Sequence, residues 1–308
     1  MRNENDAARL ALEQEREAEL DAKAIREQQE RTLATQEEEK ERILEVTKGE
    51  EQTYQQLLAQ NKQKASEIRN LIFELQGSAN ISLGEAIELA GSASAMTGVR
   101  TAFILGVLKQ ETDIGSFLGS CTYDQIRFGK AVMKPTRDAP VFLVIAETLG
   151  FDPSSRPISC SQTANTWGGA MGLSQFIPST WACFGGYYNT RTGDCNNAIG
   201  SLSRDEFYMG PWAYDASKDR LRQVRGKGSP SNPWDNQDAF LATALYMQEL
   251  GAAYGTYDSE HLAAMRYFAG WAGANNPSPY VRSYGDSVMN HASYFQGQID
   301  TLEELEAE

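Results

Sequence analysis

The sequence predicts an all-α protein in two parts, a long charged helical arm and a globular helical domain. Three observations predict it. Composition breaks sharply at Gln76-Gly77-Ser78, the run 239–250 is apolar nearly all round a helix, and no stretch shows the convincing period-two alternation of a half-buried strand.

Residues 1–76 contain 18 Asp/Glu and 12 Lys/Arg, one glycine (Gly49), two aromatics (Tyr54 and Phe73), and neither Pro nor Cys. Glu, Gln, Ala, Leu, Lys and Arg dominate, all good helix formers. Tyr54, Leu57, Ile68, Leu71 and Leu75 recur at 3-4 spacing, with Leu58, Ala65 and Ile72 on an adjoining row. Asn61 and Lys64 interrupt the stripe as polar residues do in a coiled-coil seam. Upstream, Leu10, Leu12, Leu20, Ile25 and Leu33 are too sparse for a core. The expectation is one or two long helices packing little against the rest, hinged near Thr47-Lys48-Gly49. Such an arm reads either as a solvated helix or as a coiled coil that pairs with a partner or with itself.

From residue 77 to 308 the pattern is globular. Ile87, Leu89, Ala90 and Ala93 mark a short helix, 100–112 a second, and 138–149 a third stopped by Gly150. The run 239–250, AFLATALYMQEL, predicts a buried central helix, and 258–270 and 279–306 complete the set. Between about 184 and 236, Gly, Asn, Ser, Pro and aromatics follow no period and read as an inserted or extended loop.

The net charge of −14 argues against a nucleic-acid partner. No long apolar run suits a membrane span. The start, MRNENDAARLALEQ, lacks the apolar core of a signal peptide, so the expectation is either a cytoplasmic protein or, preferably, a chain lacking its true N-terminus. Two histidines, His261 and His291, leave little for histidine-based metal sites or triads. Cys121, Cys160, Cys183 and Cys195 form no CxxC pair; they read as buried thiols or as two disulfides, the latter if the protein works outside the cytoplasm. No metal or cofactor is expected.

Two segments carry chemistry. In TAFILGVLKQETDIG, 101–115, Ile104, Val107, Leu108 and Glu111 fall at i, i+3, i+4 and i+7, which places Glu111 on the apolar face near the helix end. A carboxyl there loses hydration and holds its proton to higher pH, as protonation of a glycosidic oxygen requires. On this segment alone, a Glu at the core edge paired to an Arg or capped by water is the more ordinary reading. The second segment, TWGGAMGLSQFIPSTW, 166–181, combines Gly168, Gly169 and Gly172 with the amide of Gln175. Its composition suits a cleft wall touching sugar hydroxyls and N-acetyl groups, though a Gly-rich turn with a Gln is common in loops.

Together, Glu111-Thr112 with Gly115, and Gly169-Ala-Met-Gly-Leu-Ser-Gln-Phe-Ile-Pro-Ser-Thr-Trp181, resemble the membrane-bound lytic transglycosylase B family of the lysozyme-like group. The resemblance spans roughly 80–295 and departs at 184–236. It implies a lysozyme-like helical domain acting on peptidoglycan glycan strands, with Glu111 as the catalytic acid. It also implies Thr166 as a hydroxyl touching that acid, Met171, Gln175 and Phe176 as substrate contacts, and Tyr267 of MRYFAG at the cleft. The family's Tyr-Asn pair reads Tyr267-Phe268 here, so the contact an Asn would make is in question. No Asp-x-Asp-x-Asp-Gly loop appears, so the calcium site of some members is not expected.

Ordinary glycosidases use two carboxylates; the resemblance implies one. Glu111 would protonate the oxygen between N-acetylmuramic acid and N-acetylglucosamine. It would then take the proton of the muramyl 6-hydroxyl as that oxygen closes a 1,6-anhydro ring. Asp113 should point to another face, and Asp124 is unplaced; an Asp124 in the cleft would permit hydrolysis. Trp167, Trp181, Tyr187, Tyr188, Trp212, Trp234 and Trp271 are further candidates for sugar stacking, most of them expected as core or loop anchors. The competing readings are a hydrolytic muramidase, a coiled-coil wall scaffold with an inactive domain, and a Cys–His peptidase, for which the strands around Cys and His are missing. Under the enzyme reading the chain works outside the cytoplasm, and the expected disulfides are Cys121–Cys160 and Cys183–Cys195. The first ties the catalytic helix to the Gly-rich motif, and the second closes a Gly/Asn-rich loop.

Overall fold

The computed structural model describes residues 81–307 except Ile199, Ser201 and Lys227. The expected helical or coiled-coil arm, 1–76, lies outside the described residues. By its contacts the chain divides into two units: one of 1–78, 82–84 and 298–308, the other of 79–81 and 85–297.

The described residues are mainly helical, as the composition predicts. Helix α1 (Leu83–Thr97) leads through Arg100 into α2 (Thr101–Thr112), whose residues 102–108 are all buried. A short hairpin, β1 (Ile126–Arg127) and β2 (Lys130–Ala131), precedes α3 (Ala139–Leu149). Gly150 ends α3 in the left-handed conformation, as its position in the sequence anticipates. Helix α4 (Pro178–Gly185) opens with proline at its first turn. No described helix is long and apolar enough to cross a membrane.

The stretch from 184 to 236 is where the expectation of a loop fails. It holds strand β3 (Gly186–Asn189), helix α5 (Arg204–Tyr208), strand β4 (Trp212–Asp219) and helix α6 (Arg220–Val224), with β3 and β4 paired antiparallel. Its order comes from isolated buried side chains that leave no period: Tyr187, Phe207, Trp212 and Leu221 in the core, and single polar devices beside them. Buried Asp219 accepts hydrogen bonds from Arg222 N (2.9 Å), Tyr214 Oη (3.0 Å), Ser231 N (2.9 Å) and Ser231 Oγ (2.5 Å). Cys183 and Cys195 form a disulfide across it.

Helix α7 (Asn236–Glu249) is buried from Asp238 through Leu245, the central helix that its all-round apolar sequence predicts. Helix α8 (Tyr257–Asn275) is broken at Gly270, where φ is 69° and ψ 175°. Helix α9 (Pro279–Ala307) runs against α2. A Cβ on Gly106 would lie 2.8 Å from both Val288 O and Ala292 N, so the two backbones are nearly in contact there. Farther along, Ser287 Oγ donates to Gln110 Oε1 (2.5 Å) and Tyr284 reaches Glu111, so the helices are antiparallel. Arg100 locks the start of α2 with a bidentate pair to buried Glu260 of α8 (2.8 and 2.6 Å) and a bond to Gln296 of α9 (2.9 Å).

Candidate active site

Glu111 sits in the last turn of α2, half-buried. Its carboxylate accepts a hydrogen bond from the Tyr284 hydroxyl of α9. Burial pushes its pKa up to about 7, against a smaller downward pull from the Tyr284 bond. Among the described residues, no second carboxylate takes part in that balance. Tyr267, on α8, is near enough to feel the Glu111 charge, and both tyrosines are themselves pushed well above the usual phenol range, chiefly by burial.

The end of α2 is shaped by its own residues. Asp113, Ile114 and Gly115 all have positive φ, and Asp113 pairs with Lys109 (2.5 Å) on the helix surface. The Asp113 side chain is thereby engaged away from Glu111, as its spacing predicts. Thr112 is the hinge pin: it accepts from Gly115 N (3.0 Å) and donates to Leu173 O (3.0 Å) of the Gly-rich segment. The next carbonyl, Ser174 O, accepts from Tyr267 Oη. The Ser174 hydroxyl donates to Ala239 O (2.8 Å) and accepts from Thr243 (2.9 Å), both on α7. Residues 173–174 are therefore bonded to three helices, and Glu111 lies one residue from that junction.

The Gly-rich segment is held by backbone contacts. Single bridges join Cys121 to Ile158, Ile158 to Met171, and Met171 to Phe176; another joins Met133 to Gly168. The glycines are needed for approach as much as for turning. A Cβ would lie 2.2 Å from Ser159 O at Gly168 and 1.7 Å from Pro233 O at Gly172. The Cys121–Cys160 disulfide, Cα atoms 5.2 Å apart, closes the same layer. Both expected disulfides form.

The structure sorts the expected site residues. Glu111, Tyr267 and the 173–175 turn are brought together. Gln175 has left-handed φ (50°), and its amide donates to Gly172 O (2.8 Å), closing the turn. Met171 and Phe176, expected as substrate contacts, are 0% and 3% exposed and belong to the core. Phe176 packs among Trp181, Phe184, Tyr246 and Tyr267. An apolar side chain inside a glycine-rich string is drawn to the core by the same burial that drives folding. Thr166 does not pair with the acid: its hydroxyl accepts from Gln162 N (3.0 Å) and Thr163 N (2.8 Å) inside an exposed turn. Trp181, Tyr187 and Trp212 are core residues, whereas Trp167 and Trp271 are exposed. Asp124 is exposed and bonded to the Thr122 hydroxyl (2.6 Å), which holds its pKa low.

Tyr284 is the residue that sequence reasoning missed. Its only trace is the i, i+4 pair Tyr280–Tyr284, which says nothing of Glu111. Phe268 stacks on Tyr284 with ring centres 4.5 Å apart and thereby orients the phenol that bonds Glu111. Among the described residues, no cluster of three or more His, Cys, Asp or Glu side chains could hold a metal ion. No family model, curated protein or solved structure matches the chain.

Proposed function

We propose that this protein cleaves peptidoglycan glycan strands as a lytic transglycosylase, with Glu111 as the single acid/base. The observation that carries the reading is a half-buried carboxyl held near pKa 7 by burial, bonded to one tyrosine and pinned beside a glycine-rich turn. Such a group is protonated often enough to give a proton and ionised often enough to take one back. Glu111 donates its proton to the oxygen linking N-acetylmuramic acid to N-acetylglucosamine, and the C–O bond to the muramyl anomeric carbon breaks. The carboxylate then removes the proton of the muramyl 6-hydroxyl, whose oxygen bonds to that carbon. The acid is restored and no water is consumed. The two disulfides support an oxidising compartment outside the cytoplasm.

The test is the mass of the soluble sugars released from purified peptidoglycan. The expected fragments are one water lighter than reducing-end fragments. Products carrying the extra water identify a hydrolytic muramidase instead. The same assay with Glu111→Gln should show turnover lower by at least about two orders of magnitude; near-normal turnover removes Glu111 from the reaction.

A further inference from the structure

The β1–β2 hairpin has features that the fold itself does not require. Its two-residue loop is Phe128-Gly129, and both have positive φ (53° and 74°). The first position of such a turn ordinarily takes Asn, Asp or Gly, and a bulky side chain there is strained. The strain gains no burial: Phe128 is 54% exposed and Ile126 beside it 67%. The hairpin is also basic in an acidic chain. Residues 127–137 hold four cations and no acid, against a net charge of −14 overall. Arg137 is paired with Asp138, but among the described residues no carboxylate lies within ion-pair distance of Arg127, Lys130 or Lys134. The Arg127 guanidinium lies 5.6 Å from the Phe128 ring centre, and the Lys130 ammonium 3.9 Å from that of exposed Trp167.

The hairpin is continuous with the candidate site. Gly168 N donates to Val132 O (2.9 Å), so the chain leaving β2 is bonded to the layer that ends at the 173–174 junction beside Glu111. We propose that this hairpin, with Trp167, binds the carboxylate-bearing peptide stems of the glycan strand and makes stem-bearing wall the preferred substrate. The inference rests on the proposed substrate. Trp167 offers a face to a sugar ring, Arg127 and Lys130 meet stem carboxylates, and Ile126 and Phe128 rest on small apolar stem side chains. The cations also offset the repulsion between an acidic protein and an anionic polymer.

The experiment is a pull-down on insoluble sacculi, intact or stripped of stems by an amidase, using the full chain with Glu111→Gln so that nothing is cut. Intact sacculi should bind at least tenfold more tightly than stripped ones, and added salt should erode the difference. Adding Arg127→Gln and Lys130→Gln, both at accessible positions, should abolish the preference while leaving the thermal midpoint and binding to stripped glycan unchanged. Equal binding to both sacculi, or a preference that survives the double substitution, overturns the proposal. So does binding to phosphatidylglycerol vesicles that exceeds binding to sacculi and is lost with Phe128→Ser, which would make the hairpin a lipid anchor. Failure of the cleavage reading would appear in the product masses and not in this pull-down.

Discussion

The two sides of the candidate site are built on opposite principles. On the helical side, α2, α8 and α9 place side chains: Glu111, Tyr267 and Tyr284 project from helices whose mutual spacing is set by Gly106 and the Arg100–Glu260 pair. On the loop side, residues 158–176 place backbone: glycines let chains touch, single bridges replace a sheet, and a disulfide closes the layer. The perturbed titratable groups therefore sit on the helical side, and the loop side supplies shape. Substitutions should separate the same way, with function lost before fold in one region and fold before function in the other.

Glu111→Gln is the largest test of the helical side. It should cost at least about two orders of magnitude in turnover with no loss of thermal midpoint. A loss of folding there would erase the distinction. The loop side predicts the reverse. Replacing Cys121 and Cys160 by serine opens a closure between residues 39 apart and should destabilise by about 4 kcal/mol on chain-entropy grounds. The Cys183–Cys195 closure, 12 residues apart, should be worth about 1 kcal/mol less. Chemical denaturation of the two variants checks the order, and equal losses would show that strain or residual structure outweighs loop length. Gly172→Ala places a Cβ 1.7 Å from Pro233 O at a φ of +59°. It should cost about 3 kcal/mol and lower the thermal midpoint by roughly 10 °C. Calorimetry that finds the variant as stable as the parent would show that 233 yields freely.

The same contrast explains what could be read from sequence. Helical placement leaves a period, so α2, α3, α7 and the burial of Glu111 were legible, as was the stop at Gly150. Backbone placement leaves only glycines. Gly168 and Gly172 mark a special segment but do not say that they meet Ser159 and Pro233, so the sequence does not show that Met171 and Phe176 fill the core. The order of 184–236 rests on scattered buried aromatics such as Tyr187, Phe207 and Trp212, on the buried carboxylate of Asp219 and on a disulfide, and none of these has a periodic signature. Tyr284 was invisible because a tyrosine on an amphipathic helix carries no mark of the partner 173 residues away. Thr112 and Ser174 were within the quoted motifs, yet their hydroxyls act through backbone carbonyls, a role that residue type alone does not disclose.

The smallest predicted effect is the sharpest test of how the helical side tunes its acid. The Tyr284 hydroxyl stabilises the charged form of Glu111 and so pulls its pKa down against the larger upward push of burial. Tyr284→Phe removes that pull, and the alkaline limb of kcat, set by loss of the Glu111 proton, should move above pH 7 by about one unit. Stability carries the same signature. The folded chain holds the Glu111 proton to about 7, while an ordinary glutamate releases it near 4.5. Stability is therefore lost as pH rises from about 4.5 to about 7, by roughly 3 kcal/mol in all, and is flat above. In Tyr284→Phe the loss continues to higher pH. His291 and Asp238 also titrate abnormally, pushed by burial down to about 4 and up to about 6. Their contributions are common to both proteins and cancel in the difference. The quantity to measure is thus the difference in unfolding free energy between parent and Tyr284→Phe at pH 5 and at pH 8. It should grow with pH. A constant difference, together with an unmoved alkaline limb, would mean that Tyr284 only packs against Phe268 and that burial alone sets the proton affinity of Glu111.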